Sequence, residues 1–454
     1  MTLLDDLAGA VGPGRVLTGA DGGAGPYAVD YTGRFGGEPA AVVLPGTVAE
    51  VAAVVDACRR HRTPLVPQGG NTGLVGGGVP TRGEVVVSLA RLDTVADVDA
   101  SAGQLTAGAG VTLAAVRRAA QAAGWAYGVD FASRDRATVG GMVATNAGGL
   151  HVVRHGDTRA QVVGVEAVMA DGSVVSRLGG LTRDNAGFHL PSLLCGSEGT
   201  LGVITAARLR LVAEAPERAV ALIGFPTTGA ALEAASALRR LLPAVEAVEL
   251  VLAAGLDLVC QTMALDRPLA ADHAAYLVVE VAGSEGSGRA LEDAAGRLSA
   301  STGAMALATG PGERRRLWAY REKHTEAVAT LGVAHKLDVA LPLGRLRQFV
   351  EEVPAVVAGI APGARTWLWG HAGEGNVHVN LTGLAPDDER ADDAVLRLVV
   401  GLGGSISAEH GIGTAKRRWL ALTRSPAELT AYRAVKRALD PTGVLNPNAL
   451  LPPD

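Results

Sequence analysis

Three glycine-rich stretches in the first half of the chain, the first and third beside runs that read as strands, restrict its fold more than any other feature. They are "PQGGNTGLVGGG" (67–78), "ATVGGMVATNAGG" (137–149) and "GSEGTLGVIT" (196–205). Glycine lets the backbone approach a ligand closely and adopt positive φ, so successive N–H groups can converge on an anion. One such loop would read as a tight surface turn. Three in one half of a chain point to a large phosphate-bearing cofactor. The first follows a strand but has neither GxGxxG nor GxxxxGK[ST] spacing, so the Rossmann and P-loop modes do not apply.

Around these loops the sequence reads as alternating strands and helices. Over 41–66, "AVVLP" is a short apolar strand closed by Pro45, and Thr47 with Glu50 makes a capping-box pattern. Val51, Val54, Val55 and Cys58 then recur at helical spacing, and "TPLVP" returns as a strand that feeds the first glycine loop. A second helix starts near Thr112, and "QVVGVEAVMADGSVVSR" (161–177) reads as a hairpin turning at Asp171-Gly172. The polar "EAPERA" marks a boundary near 215, beyond which helical and strand patterns alternate as in an α+β domain. The chain closes with a helix stopped by Pro441 and an irregular tail.

A length of 454 residues exceeds a single core and implies two or three domains. With 48% hydrophobic and 19% charged residues the chain can bury sizeable cores. A net charge of -5 without a basic run argues against nucleic acid as a partner. Cys58, Cys195 and Cys260 are scattered and form no CxxC, which argues against thiolate metal sites and fits a reducing compartment. The start, "MTLLDDLAGAVGPG", lacks the basic region of a signal peptide, and no run of about 18 apolar residues occurs. A cytoplasmic protein is expected, with peripheral contact with a membrane left open.

The second half carries its own chemistry. "GHAGEGNVHVN" (370–380) places His371 before and His378 after a glycine turn. In "VHVN" the alternation puts His378 and Asn380 on one strand face, with Val377 and Val379 on the other. Two histidines alone could be a polar turn. A metal needs a third ligand, and "SISAEHGIG" offers Glu409 beside His410. Adjacent residues point apart, so one can bind a metal while the other faces a substrate.

The three glycine stretches, in order and spacing, resemble the FAD-binding segments of the vanillyl-alcohol oxidase/p-cresol methylhydroxylase superfamily. The resemblance implies an α+β fold: a two-part FAD-binding domain over 1–215, a C-terminal α+β cap with an antiparallel sheet over 216–420, and a helix and tail over 421–454 returning to the FAD domain. It implies that Pro67, Gln68, Gly69, Gly70, Asn71, Thr72, Gly73 and Leu74 cradle the diphosphate. Ser133, Thr138, Gly140, Gly141, Ala144, Thr145, Asn146 and Gly149 would line the cofactor, and Glu198, Gly199, Val203 and Ile204 would complete the site. Non-covalent FAD is expected.

"GHAGEGNVHVN" and "AEHG" resemble the D-2-hydroxy-acid dehydrogenase branch, which holds D-lactate dehydrogenases, the glycolate oxidase catalytic subunit and D-2-hydroxyglutarate dehydrogenases. That likeness implies a divalent metal on His371, His378 and Glu409, with zinc first and iron or manganese as alternatives, and His410 as the base. "WAYREKHTEA" and "HKLDVALP" resemble the substrate segments, which implies Arg321, Thr325 and Lys336 at a carboxylate, with Asn380 nearby. Without the likeness Arg321 would read as an exposed helical salt bridge. Departures occur at Glu374, where Asp is usual, and at Arg183, Phe188 and His189, where Lys and Tyr-Asp are common; the latter put substrate identity in doubt. "LNPNALLP" replaces the usual Asn-Pro-Gly.

The activity implied is oxidation of a D-2-hydroxy acid to the 2-oxo acid, with His410 taking the hydroxyl proton and the Cα hydrogen leaving as hydride to flavin N5. The acceptor that reoxidises the flavin could be a quinone, an electron-transfer flavoprotein, a cytochrome or oxygen, and a homodimer stays open. Two rivals come from other classes: an FAD-dependent transferase of the alkylglycerone-phosphate synthase type, and a non-catalytic flavoprotein subunit of a larger oxidase. The joint presence of Arg321, Lys336, His371, His378, Glu409 and His410 favours the dehydrogenase.

Overall fold

In a computed structural model, residues 1–19, 23–299 and 304–453 are described. Strands β1 (Val16–Leu17), β2 (Ala41–Val43), β3 (Leu65–Gln68) and β4 (Val85–Ser88) form a sheet in the order β1-β2-β4-β3. β1 runs antiparallel to β2, while β2–β4 and β3–β4 are parallel. A parallel pair needs a crossover, and the helix Val48–His61 supplies it between β2 and β3. That helix buries Val51, Val54, Val55 and Cys58, as their spacing predicts. Thr47 caps it by accepting the Glu50 N–H at 3.1 Å. The other half of the expected capping box does not form: the Glu50 carboxylate reaches one residue further back and accepts the Gly46 N–H at 2.6 Å.

β5 (Gln104–Gly108), β6 (Trp125–Ala126), β7 (Val162–Val168), β8 (Val174–Ser176), β9 (Val203–Arg210) and β10 (Val212–Ala213) follow. β5, β7, β8 and β9 make an antiparallel sheet ordered β5-β9-β7-β8, and β6 pairs with β10. The β7–β8 hairpin turns at Asp171-Gly172, where Gly172 has φ +85° and Asp171 Oδ1 accepts the Ser173 N–H at 2.9 Å. These two sheets lie in one compact unit made of 1–149, 156–214 and 409–454. The C-terminal helix Pro426–Leu439 belongs to it and carries a complete capping box between Ser425 and Glu428.

The second unit comprises 150–155 and 215–408, so 409–420 pack with the first unit. It is built on β11 (Glu217–Phe225), β12 (Val245–Leu252), β13 (Ala275–Gly283), β14 (Met305–Ala308), β15 (His335–Ala340), β16 (Arg365–His371) and β17 (Asn376–Thr382). These seven strands form one sheet, β14-β11-β13-β12-β16-β17-β15, with every neighbour antiparallel. β13 and β17 are buried along nearly their whole length, because helices cover the sheet. The helices Ala253–Met263, Pro311–Glu322 and His324–Ala329 pack through Leu256, Leu317, Trp318, Ala327 and Val328 onto Val251, Trp367 and Trp369. Among the described residues no helix is long and apolar enough to cross a membrane.

Candidate active site

The face of the second unit's sheet that carries Val251, Trp367 and Trp369 also carries a row of polar residues. Residues directly opposite on paired strands share a face, and so do i and i+2 on one strand. The register sets Glu249 opposite His371, Trp369 opposite His378, Asp338 opposite His378 and Lys336 opposite Asn380. Glu249, His371, His378, Asp338, Asn380 and Lys336 therefore line one side of four adjacent strands. Val377, Val379 and Leu381 point to the opposite face and are buried there. The alternation expected in "VHVN" is met.

Glu249 is fully buried and holds two partners. One carboxylate oxygen accepts from His371 Nδ1 at 2.6 Å and the other from Arg321 Nε at 2.7 Å. Burial pushes its pKa up, but the neighbouring His371 and Arg321 outweigh burial and bring the carboxyl down to about 2. Arg321 is not the exposed helical residue that its sequence context allows. It is buried at the end of Pro311–Glu322, with its guanidinium turned into the sheet. His324, on the next helix, stacks on Trp369 with ring centroids 5.0 Å apart, and its Nδ1 lies 3.1 Å from the Arg321 carbonyl. Burial first, then the Arg321 charge, push the His324 imidazole down to about 3, so it is neutral.

His371 and His378 stand edge to face, 5.3 Å between ring centroids. His378 Nδ1 lies 3.4 Å from Asp338 Oδ1. His371 Nδ1 is thus fixed on a buried carboxylate, which puts the ring's lone pair on Nε2, the arrangement that orients histidine ligands in metal centres. Asn376 Oδ1 and Asn380 Oδ1, on the same strand, are buried and accept no hydrogen bond among the described residues. Buried acceptors of that kind call for a donor or a cation. Asp338 and His378 bring ligand atoms within 4.8 Å of one another, as a divalent ion requires, and His371 stands outside that group. Thr325 is half-buried on the helix that carries His324, and Lys336 is half-buried on β15.

The Ala408 N–H donates to Asp338 Oδ2 at 3.0 Å. Glu409 follows directly in the chain, and covalent geometry holds its Cα about 3.8 Å from that of Ala408. In the first unit, His410 Nε2 lies 4.0 Å from Glu409 Oε1. The segment after His410 is held by Glu198, whose carboxylate accepts the Ile412 N–H at 2.8 Å and the Gly413 N–H at 2.6 Å. Burial raises the Glu198 pKa, opposed by those two N–H groups and by Lys416. Its side chain braces the Glu409-His410 segment, a role that its place in a cofactor loop did not suggest.

The three glycine stretches meet in the first unit. A Cβ on Gly69 would meet the Thr138 hydroxyl, which would have to turn aside, and one on Gly70 would strike the backbone carbonyl of Arg136, so position 70 requires glycine. Gln68 Nε2 closes the first loop by donating to the Tyr27 and Gly78 carbonyls at 3.0 and 2.8 Å. Asn71 and Asn146 adopt left-handed backbone at φ 50° and 54°. The Glu198 N–H donates to the Ala144 carbonyl at 2.8 Å, which seats the third stretch on the second. Asn446 Nδ2 donates to the Gly77 and Glu198 carbonyls at 2.8 and 2.7 Å, so the C-terminal tail joins the first and third stretches. Val203 and Ile204 are buried on β9, paired with Val168 and Ala167. Thr138 Oγ1 and Ser197 Oγ are buried and without a hydrogen-bond partner among the described residues, as the wall of a polar ligand's pocket would leave them. The residues present fit a dinucleotide such as FAD.

Glu249, Asp338 and His324 were not expected from the sequence. A charged residue inside an apolar strand, as in "VEAVELVL", is the signal that was there, because such groups are almost never fully buried unless paired.

Comparison with known proteins agrees. Residues 214–450 match the family described as FAD linked oxidases, C-terminal domain, and residues 39–177 match the FAD binding domain family. A D-2-hydroxyglutarate dehydrogenase of Xanthomonas citri pv. viticola is 37% identical over 93% of this chain and 92% of its own length. The mitochondrial D-2-hydroxyglutarate dehydrogenase of Bos taurus is 36% identical over 99% of this chain and 84% of its own. Among solved structures, p-cresol methylhydroxylase with substrate bound aligns with a TM-score of 0.77 at 17% identity, covering 98% of this chain and 95% of that one. An alkyldihydroxyacetonephosphate synthase aligns with a TM-score of 0.75 at 17% identity, covering 99% and 86%. Those two establish the fold alone. With matches running across both halves of the chain, this protein belongs to the FAD-linked oxidases, in the D-2-hydroxy-acid dehydrogenase branch.

Proposed function

We propose that this protein oxidises a D-2-hydroxy acid to the corresponding 2-oxo acid, and that D-2-hydroxyglutarate, named for its relatives, is the first substrate to test. The observation that carries this is the buried row Arg321–Glu249–His371 beside His378–Asp338, which sets a fixed guanidinium next to two oriented imidazoles. Pro67–Leu74, Ser133–Gly149 and Glu198–Ile204 would hold FAD, which would supply the two-electron acceptor. His371, His378 and Glu409 would hold a divalent ion, zinc first, which would supply a Lewis acid.

The remaining work falls to side chains. Arg321 takes the substrate carboxylate on the guanidinium N–H groups that Glu249 does not use, since its planar fork offers several donors. Thr325 and Lys336 add a hydroxyl and a second positive charge, and Asn380 offers an amide to the substrate. His410 accepts the hydroxyl proton at an imidazole nitrogen, a task suited to a group that titrates near neutrality. The Cα–H bond breaks with its electron pair as that proton departs, so one hydride would pass to bound FAD and one proton to His410, which balances the conversion of alcohol to ketone. The final electron acceptor would be a quinone, an electron-transfer flavoprotein, a cytochrome or oxygen.

The test is anaerobic mixing of the FAD- and zinc-loaded protein with D- and L-2-hydroxy acids while the visible flavin absorption is followed. Bleaching by a D-acid that a chelator abolishes is expected. A bound flavin that no 2-hydroxy acid bleaches would falsify the proposal and favour the non-redox transferase.

A further inference from the structure

We propose that Glu249 is a positioning residue that sets the affinity for the metal and for the substrate carboxylate together; this rests on the oxidation proposed above. Its two oxygens are divided between the two halves of the site, one on His371 Nδ1 at 2.6 Å and one on Arg321 Nε at 2.7 Å. The first contact selects the His371 tautomer protonated at Nδ1. That puts the lone pair on Nε2, the atom that would meet a metal, and raises its donor strength. The second removes the rotational freedom of a long side chain and turns the Arg321 terminal nitrogens outward.

The strand pairing makes the coupling rigid. Glu249 faces His371 across the β12–β16 ladder, so the ligand and its carboxylate are held by backbone hydrogen bonds rather than by a loop. Asp338 does for His378 part of what Glu249 does for His371, at the longer distance of 3.4 Å. What sets Glu249 apart is the second partner. A carboxylate serving only to neutralise a buried arginine would not need to touch the imidazole. One serving only the metal ligand would not need to touch the arginine.

A glutamine at 249 keeps the volume but has one acceptor oxygen. It can satisfy His371 or Arg321, and its amide N–H groups face the donor of the other. The experiment uses oxidised, FAD-loaded, metal-stripped protein without turnover. Zinc binding is read by calorimetry, and binding of a 2-oxo acid by the shift in flavin absorption. Glu249→Gln is expected to weaken zinc binding about 10- to 100-fold, the effect of losing a carboxylate behind a histidine ligand, and to weaken 2-oxo acid binding as well. Arg321→Met alone should weaken only the 2-oxo acid.

The decisive comparison is Glu249→Gln/Arg321→Met against Arg321→Met. With no arginine left to neutralise, a merely structural Glu249 would be dispensable, and the two proteins would bind zinc equally; that equality overturns the proposal. A double variant that still binds zinc at least tenfold more weakly than Arg321→Met supports it. The comparison stands even if Glu249→Gln alone fails to fold, because the double variant buries no unpaired charge. Wild-type protein that takes up no zinc overturns the metal centre itself and the His371 half of this role with it. The 2-oxo acid measurement then decides the Arg321 half.

Discussion

A histidine and an arginine carry the residue-scale expectations, and each fails in a different way when replaced. His410→Ala should slow flavin reduction by about 10²- to 10⁴-fold, the usual worth of a positioned general base. FAD content should not change, because the proposed cofactor contacts lie in the glycine stretches. Rapid mixing under argon and the ratio of flavin to protein absorption check both. Arg321→Lys keeps the charge and loses the fork. A lysine ammonium near Glu249 cannot hold that carboxylate and a substrate carboxylate in plane at once. KM should rise about 10- to 100-fold with a smaller change in kcat, the loss of one charged hydrogen bond at roughly 1.5–3 kcal/mol. Unchanged KM would move the substrate carboxylate elsewhere.

At the scale of elements, the glycine loops and the helix caps separate binding from stability. Gly70→Ala sets a methyl group against the Arg136 carbonyl where the first and second stretches touch. The loops must part, and the purified protein should lose most of its FAD while its far-ultraviolet circular dichroism stays close to wild type. Full flavin occupancy in that variant would show that the contact does not shape the cradle. Thr47→Ala removes the acceptor for the Glu50 N–H at the start of Val48–His61. The loss should be about 1 kcal/mol by urea titration, with FAD binding retained.

The whole molecule depends on buried carboxylates in the second unit's sheet. Glu246 accepts from His155 Nε2 at 3.0 Å and Arg218 Nη1 at 2.7 Å, and Arg218 also reaches Glu280 at 3.2 Å. Burial alone would raise the Glu246 pKa; His155, His151 and Arg218 together outweigh it and hold the carboxyl at about 2, against an ordinary 4.5. A pKa lower in the folded protein means that folding favours the ionised form. That stabilisation is complete above about pH 4.5 and is lost as pH falls toward 2. Urea unfolding of wild type and Glu246→Gln at pH 6 and pH 3 should therefore show a wild-type advantage that shrinks at the lower pH. Parallel losses in the two proteins would remove Glu246 from the acid sensitivity.

Much was decided by the sequence alone, wherever the cause is local. Helical spacing buried Val51, Val54, Val55 and Cys58. Asp171-Gly172 turned a hairpin, and the alternation in "VHVN" put His378 and Asn380 on one face. The three glycine stretches meet in the first unit, because close backbone approach excludes side chains wherever it occurs. Tertiary structure decided what depends on partners far apart in the chain. Glu50 chose the Gly46 N–H over its own cap. Arg321 went inward because Glu249, 72 residues earlier, waits across the sheet, and the same carboxylate meets His371, 122 residues later. Glu198 spends its carboxylate on the backbone of Ile412 and Gly413, more than two hundred residues away. A buried charge is stable only where an opposite charge and a donor meet it. Residue type announces that need, but only strand order and register show what answers it.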